Sequence, residues 1–330
     1  FTDSYQSLMH AKELGEQASH PELIGYACSW LSWPCTELGR FDEAIENCNR
    51  AEALYVDGLV KDAYIYFHPL MGKGYAYWHK GDARRTSEMG DRLLKFGHRH
   101  GNVRSLVGGY CCHGWQHMIT GNIPQAIGTF RQAIQTSADP WYSQFPKLAL
   151  CLAAINNGQV EEALPLLDQM IAFSDSNGTE FVGEPARFFK ALAAVFEGRA
   201  DEGIESMEGL LKKWEADGSR LRVVICGFAL ANAYSQLQAK ASQRRDTPVT
   251  PSESLWAEKA IQQFKTVADE AADIGAAALH GRALFGLGDV LASLGRQEEA
   301  KQAIARSIEL LETIHADGHL MQARKLLETI

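Results

Sequence analysis

Nowhere in this sequence do apolar side chains continue for the ~18 positions that a bilayer-spanning helix requires. A membrane partner is therefore not expected. The opening Phe1-Thr2-Asp3-Ser4-Tyr5 has neither a start methionine nor a basic leader, so no secretory signal is read here. That opening suggests instead the C-terminal portion of a longer protein. Basic residues are also scarce, 32 Lys and Arg against 41 Asp and Glu, for a net charge of −9. A general nucleic-acid binder needs a basic footprint, so nucleic acid is not an expected partner. The acidic residues are spread along the chain and read as solvated helix faces. The seven cysteines, Cys28, Cys35, Cys48, Cys111, Cys112, Cys151 and Cys226, are odd in number and irregular in spacing. They form no disulfide framework and fit buried thiols in a reducing cytoplasm.

Catalytic signatures are missing too. There is no phosphate-binding G-x-x-x-x-G-K-[ST], no G-x-S-x-G elbow and no H-E-x-x-H. Paired carboxylates such as Glu161-Glu162 stand where a helix begins and complement its dipole. His113 and His117 are four apart near Cys111-Cys112, a spacing that could grip a metal, but no second ligand pair follows. Both occupy helix-packing positions. We expect neither an enzyme nor a cofactor nor a metal.

What the chain does have is a period. Glycine followed five residues later by a small residue recurs as Gly39/Ala44, Gly81/Thr86, Gly121/Ala126, Gly158/Ala163, Gly198/Gly203 and Gly295/Ala300. The steps through Gly198 are 42, 40, 37 and 40 residues, and one more unit fits before Gly295. A fixed period of this length predicts a stacked repeat array in place of one globular core. With 46% hydrophobic and 22% charged residues the chain can bury a continuous core.

The last unit is the clearest. Leu284, Leu287, Leu291 and Leu294 give one apolar stripe on a helix, and Gly295-Arg296 breaks it. Gln297-Glu298-Glu299 then opens a second helix with Ala300, Ala303, Ile304, Ser307, Ile308 and Leu311 on its buried face. Small residues at Gly288 and Ala300 allow the two helices to approach closely. Tyr110, Gly114 and His117, then Ala126, Phe130 and Ala133, follow the same plan around Gly121. The sixth unit has its first helix at Leu230-Ala231…Tyr234 and its second at Ala260…Phe264. Between them a polar surface loop is expected at 238–254, with Arg244-Arg245, Pro248 and Pro251.

These residues resemble the tetratricopeptide repeat, W-x2-L-G-x2-Y followed by A-x3-F. The nearest matches are Leu284…Leu287-Gly288…Leu291 with Ala300…Ile304, and Tyr110…Gly114…His117 with Ala126…Phe130. The period near 40 exceeds the family's ~34, and the proline that commonly closes a unit is mostly absent. The resemblance implies an all-α solenoid of about seven antiparallel helix pairs in a right-handed superhelix. Residues 1–20 would be the second helix of a truncated preceding repeat, 21–319 seven helical hairpins, and 320–330 a capping helix.

In such arrays the first helix of each pair lines the concave face. Carried over position by position, this marks Trp33, His68, Met71, Tyr75, Trp78, His79, Trp115 and Met118 as groove residues, with Phe188, Phe228, Asn232 and Arg282 further along. Aromatic and methionine side chains of this kind commonly anchor partners. The implied function is a protein-interaction scaffold or regulatory module that binds a peptide, a helix or an upstream domain of its own chain. Self-association through exposed repeat ends is also open. The Gly-Arg-x-x-Glu-Ala turns and the ending Ser307-Ile308-Glu309-Leu310-Leu311…Ala316-Asp317…Gln322-Ala323 are similar to C-terminal repeat regions of bacterial signalling proteins that carry a nucleotide cyclase or ATPase. The alternative is a small-molecule sensor, with Tyr75, Trp78 and Trp115 stacking on an inducer inside the array.

Overall fold

In the computed structural model, which describes residues 1–242 and 251–330, the chain reversal at Gly81 shows why glycine sets the period. One helix, α4 (Tyr64–Lys80), ends on Gly81 at φ +77°. Its N–H donates to the Trp78 carbonyl (3.0 Å), and the Asp82 N–H donates to that of Tyr77 (2.9 Å). The Asp82 carboxylate then accepts from the Arg85 N–H (2.9 Å) and caps the next helix, α5 (Ala83–His100). Two residues thus close one helix and open its antiparallel neighbour, which only a left-handed residue permits. Gly39, Gly121, Gly158, Gly198 and Gly295 repeat the conformation, with φ between +74° and +95°.

The small residue five positions on lies where the two helices cross. Ala44, Thr86, Ala126, Ala163 and Ala300 are fully buried, and a Cβ on Gly203 would stand 2.6 Å from the Ala191 carbonyl oxygen. Each glycine/small pair is therefore one turn and one crossing.

Among the described residues the elements are helices alone. The remaining ones are α1 (Thr2–Gln17), α2 (Pro21–Glu37), α3 (Phe41–Val56), α6 (Val103–Ile119), α7 (Ile123–Thr136), α8 (Gln144–Asn156), α9 (Val160–Asn177), α10 (Glu180–Phe196), α11 (Ala200–Ala216), α12 (Arg220–Ser242), α13 (Pro251–Asp273), α14 (Ala277–Ser293), α15 (Gln297–Thr313) and α16 (Asp317–Leu327). Within the first unit α2/α3, α4/α5 and α6/α7 pack as antiparallel hairpins, and within the second α14/α15 does so, with α16 packed on α15. The loop expected at 238–254 is shorter, because α12 continues through Ser242 and α13 begins at Pro251. Its middle, with Arg244, Arg245 and Pro248, lies outside the described residues.

The helices fall into two compact units, Phe1–Asn157 with Ala216–Leu221, and Gly158–Glu215 with Arg222–Ile330. In the first, Tyr5, Leu8 and Met9 of α1 pack on the core formed by Leu31, Cys35, Ala44 and Ala76. In the second, Ile304, Leu311, Leu320 and Ala323 tie α15 to α16. The apolar stripe of α14 is buried at Leu284, Leu287 and Leu291, while Leu294 is exposed at the turn.

All seven cysteines are buried free thiols. Burial pushes Cys35 and Cys48 up to about 12, so they behave as small apolar core residues. No helix among the described residues is long and apolar enough to cross a membrane.

Candidate functional site

In the first unit the first helices of successive hairpins, α2, α4, α6 and α8, pack side by side. Their facing side chains meet across the array. Trp33 of α2 reaches Phe145 of α8, with ring centroids 5.0 Å apart, and Tyr75 of α4 at the same distance. Tyr75 also touches Trp115 of α6 (5.5 Å), and Trp78 and Trp115 stack at 5.2 Å with their planes 3° apart. This unit fills its own inner face with rings.

The expected groove residues therefore divide. Trp33, His68, Met71, His79, Trp115, Met118, Phe188 and Phe228 are buried, while Tyr75, Trp78, Asn232 and Arg282 are half-buried. The buried eight offer little contact surface. Burying aromatic rings against each other yields more than leaving them in water, and closely packed first helices make that possible.

His68 is a core residue with both nitrogens engaged. Its Nε2 accepts from Trp33 Nε1 (3.2 Å), which leaves the proton on Nδ1, 3.0 Å from Ser29 Oγ. Burial pushes its pKa down to about 3, so the ring is neutral. His79 wedges between Phe41, Tyr75 and Trp78, and burial likewise pushes it down to about 3. The Tyr75 hydroxyl donates to the buried Glu37 carboxylate (3.0 Å). His113 meets Asp91 (3.2 Å), and among the described residues no three His, Cys, Asp or Glu side chains converge as metal ligands.

In the second unit Phe188 packs on Trp214 (5.5 Å) and Phe228 on Phe264 (6.0 Å). The Arg282 guanidinium lies over the Phe228 ring, 4.6 Å from its centroid. Burial pulls its pKa down to about 10. One turn on from Phe228, Asn232 donates to the Phe228 carbonyl (2.8 Å). Glu184 is buried and accepts from Lys213 (2.5 Å), Trp214 Nε1 (2.7 Å) and Arg222 (3.1 Å), a cluster that ties α10, α11 and α12 together.

Three residues that the sequence reading passed over form the exposed aromatic surface of the first unit. Tyr26 and Trp30 of α2 are 38% and 39% exposed. Both stack on half-buried Tyr64 of α4, at 5.7 Å and 6.2 Å, with planes tilted by 28° and 27°. Behind them His68 backs Trp30 and Tyr64, at 4.7 Å from each. The Tyr26 hydroxyl donates to Asp62, and the second Asp62 oxygen accepts from the Tyr64 N–H (2.9 Å). The available signal was the four-residue step from Tyr26 to Trp30, matched by Tyr64 to His68 at the start of the next first helix.

Residues 281–310 match the tetratricopeptide repeat family model. The sequence matches no curated protein. Among solved structures, a Rap protein complexed with competence and sporulation factor is similar at TM-score 0.62 and 13% identity, over 95% of this chain and 86% of that one. Aspartyl phosphate phosphatase F from Bacillus subtilis is similar at 0.52 and 12%, over 90% and 73%. At such identities the likeness shows the fold alone, a tetratricopeptide-like array of helical hairpins.

Proposed function

We propose that this tetratricopeptide-like array is a protein-interaction module, and that the Tyr26–Tyr64–Trp30 ladder is its contact surface. The observation that carries the reading is the exposure of two large rings on a fold whose other aromatics are buried or half-buried. Tyrosine and tryptophan held by stacking lose little side-chain entropy on contact, which makes them effective anchors. A Rap protein of the same fold was solved with a second molecule bound, competence and sporulation factor. The occupant proposed here is a peptide segment, of another protein or of the same polypeptide, and no catalytic step is assigned to the array.

The small-molecule alternative would place its ligand on the half-buried rings of Tyr75 and Trp78, since Trp78 and Trp115 already stack on one another.

Peptides selected from a random library on the intact protein test the reading. Tyr26→Ala with Trp30→Ala should weaken their binding at least tenfold by calorimetry, while the helical circular dichroism stays unchanged. Equal affinity for the variant sinks the ladder as the contact surface. A metabolite that raises the melting temperature, with no peptide selected, would put the sensor reading in its place.

A further inference from the structure

The charge at the Tyr26 end of the ladder is negative, while Arg104, whose charge acts on Tyr64, is paired with Asp139 (2.8 Å). Tyr26 is flanked by two carboxylates: Asp62, which accepts its hydroxyl proton, and Glu22, one helical turn earlier on α2. The hydrogen bond to Asp62 foremost, then burial and both negative charges, hold the Tyr26 phenol in its protonated form. Among the described residues neither Glu22 nor Asp62 forms an ion pair. Both are exposed, so their unpaired state costs the fold little. They add negative potential beside Tyr26, whose ring face attracts cations itself.

Resting on the reading of the ladder as a contact surface, we infer that its partner presents an arginine or lysine side chain. The cation lies over the Tyr26 ring, one turn from Trp30, and Glu22 and Asp62 receive its N–H groups. Two features of the geometry favour this class over an acidic or purely apolar segment. An acidic side chain would meet two like charges and the negative ring face. An apolar one would bury two carboxylates without a partner, at a cost that lowers affinity. Arginine suits the site best, because its flat guanidinium can stack on a ring and bridge a carboxylate at the same time.

Acetylated hexa-arginine amide and its hexa-citrulline counterpart, which keeps the shape and removes the charge, are the probes. The readout is the Trp30 indole N–H resonance, assigned by its absence in Trp30→Phe. Hexa-arginine should shift this resonance, and hexa-citrulline should bind at least tenfold more weakly. Glu22→Gln with Asp62→Asn should lower hexa-arginine affinity at least tenfold. Asp201→Asn with Glu205→Gln removes the same charge from an exposed site in the second unit and should change it less than twofold. The Asp62→Asn change keeps a side-chain oxygen to accept from the Tyr26 hydroxyl and the Tyr64 N–H, and Glu22→Gln alone serves if the double variant folds poorly.

Equal binding of the two probes, or equal losses from both charge-removing pairs, overturns the cation site and leaves the ladder standing. If neither probe shifts Trp30 and library peptides ignore Trp30→Ala, the contact surface itself is wrong.

Discussion

At the residue scale, what separates an exposed ring from a core ring here is its position along the first helix. Tyr26 and Trp30 precede Trp33 on α2 by about two turns and one, and that distance changes their exposure from 38–39% to 6%. The tetratricopeptide resemblance implied that Trp33, Tyr75, Trp78 and Trp115 share one side of successive first helices. It could not show that Trp33 would reach Phe145 three hairpins later, because such a contact depends on how closely successive first helices pack. His68 and His79 belong to the same interior and make it sensitive to acid. Both have folded pKa values near 3, against about 6.5 when unfolded. Between those values the unfolded chain binds protons that the folded one does not, so stability falls as pH drops from about 6.5 toward 3. From pH 6 to pH 5 the two together should cost roughly 2 kcal/mol, at about 1.4 kcal/mol per group and pH unit at most. Urea unfolding of the wild type at pH 7, 6 and 5 measures the loss, and His68→Gln with His79→Gln should flatten it above the carboxylate range. A slope that survives both substitutions assigns the acid sensitivity to other groups.

At the scale of the element, the hairpin was the most legible feature of the chain. A turn glycine and a crossing residue five positions later are both backbone requirements, so they leave a mark that packing does not obscure. The segment at 238–254 was less legible because its proline and Ser/Thr content suggested a loop. Pro251 instead opens α13, a position at which its missing N–H costs nothing. Helical glycines divide in the same physical way. A Cβ on Gly114 of α6 would stand 2.2 Å from the Phe130 ring of α7, which is fully buried and has nowhere to move. Gly128, exposed within α7, has nothing within 4 Å of such a Cβ. Gly114→Ala should therefore destabilise the protein by about 1–3 kcal/mol. Gly128→Ala should stabilise it by about 0.5–1 kcal/mol through helix propensity alone. Thermal or urea unfolding of the two single variants decides, and a loss at Gly128 or a gain at Gly114 would contradict the crossing geometry.

At the scale of the whole molecule, the repeat period announced an array, while the site needed coordinates. Helices in an array pack chiefly on their neighbours in sequence, as α2 does on α3 and α4, and α14 on α13, α15 and α16. Stability then follows local interfaces, and damage should remain near its origin. Gly288 offers the test, because a Cβ there would lie 2.4 Å from Ile304 Cγ1 and 3.2 Å from the Ala300 carbonyl oxygen. Gly288→Val forces α14 and α15 apart at their crossing, which should loosen the amides of α13 through α16. Hydrogen exchange read by mass spectrometry should show that loss of protection, with α2 to α7 of the first unit exchanging as in the wild type. The same variant should still bind whatever peptide the Tyr26–Tyr64–Trp30 ladder selects, since its rings and their partners all lie in the first unit. Uniform loss of protection through α2 to α7 would instead mean that the chain unfolds as one cooperative body. Binding at the ladder would then respond to damage anywhere along the array.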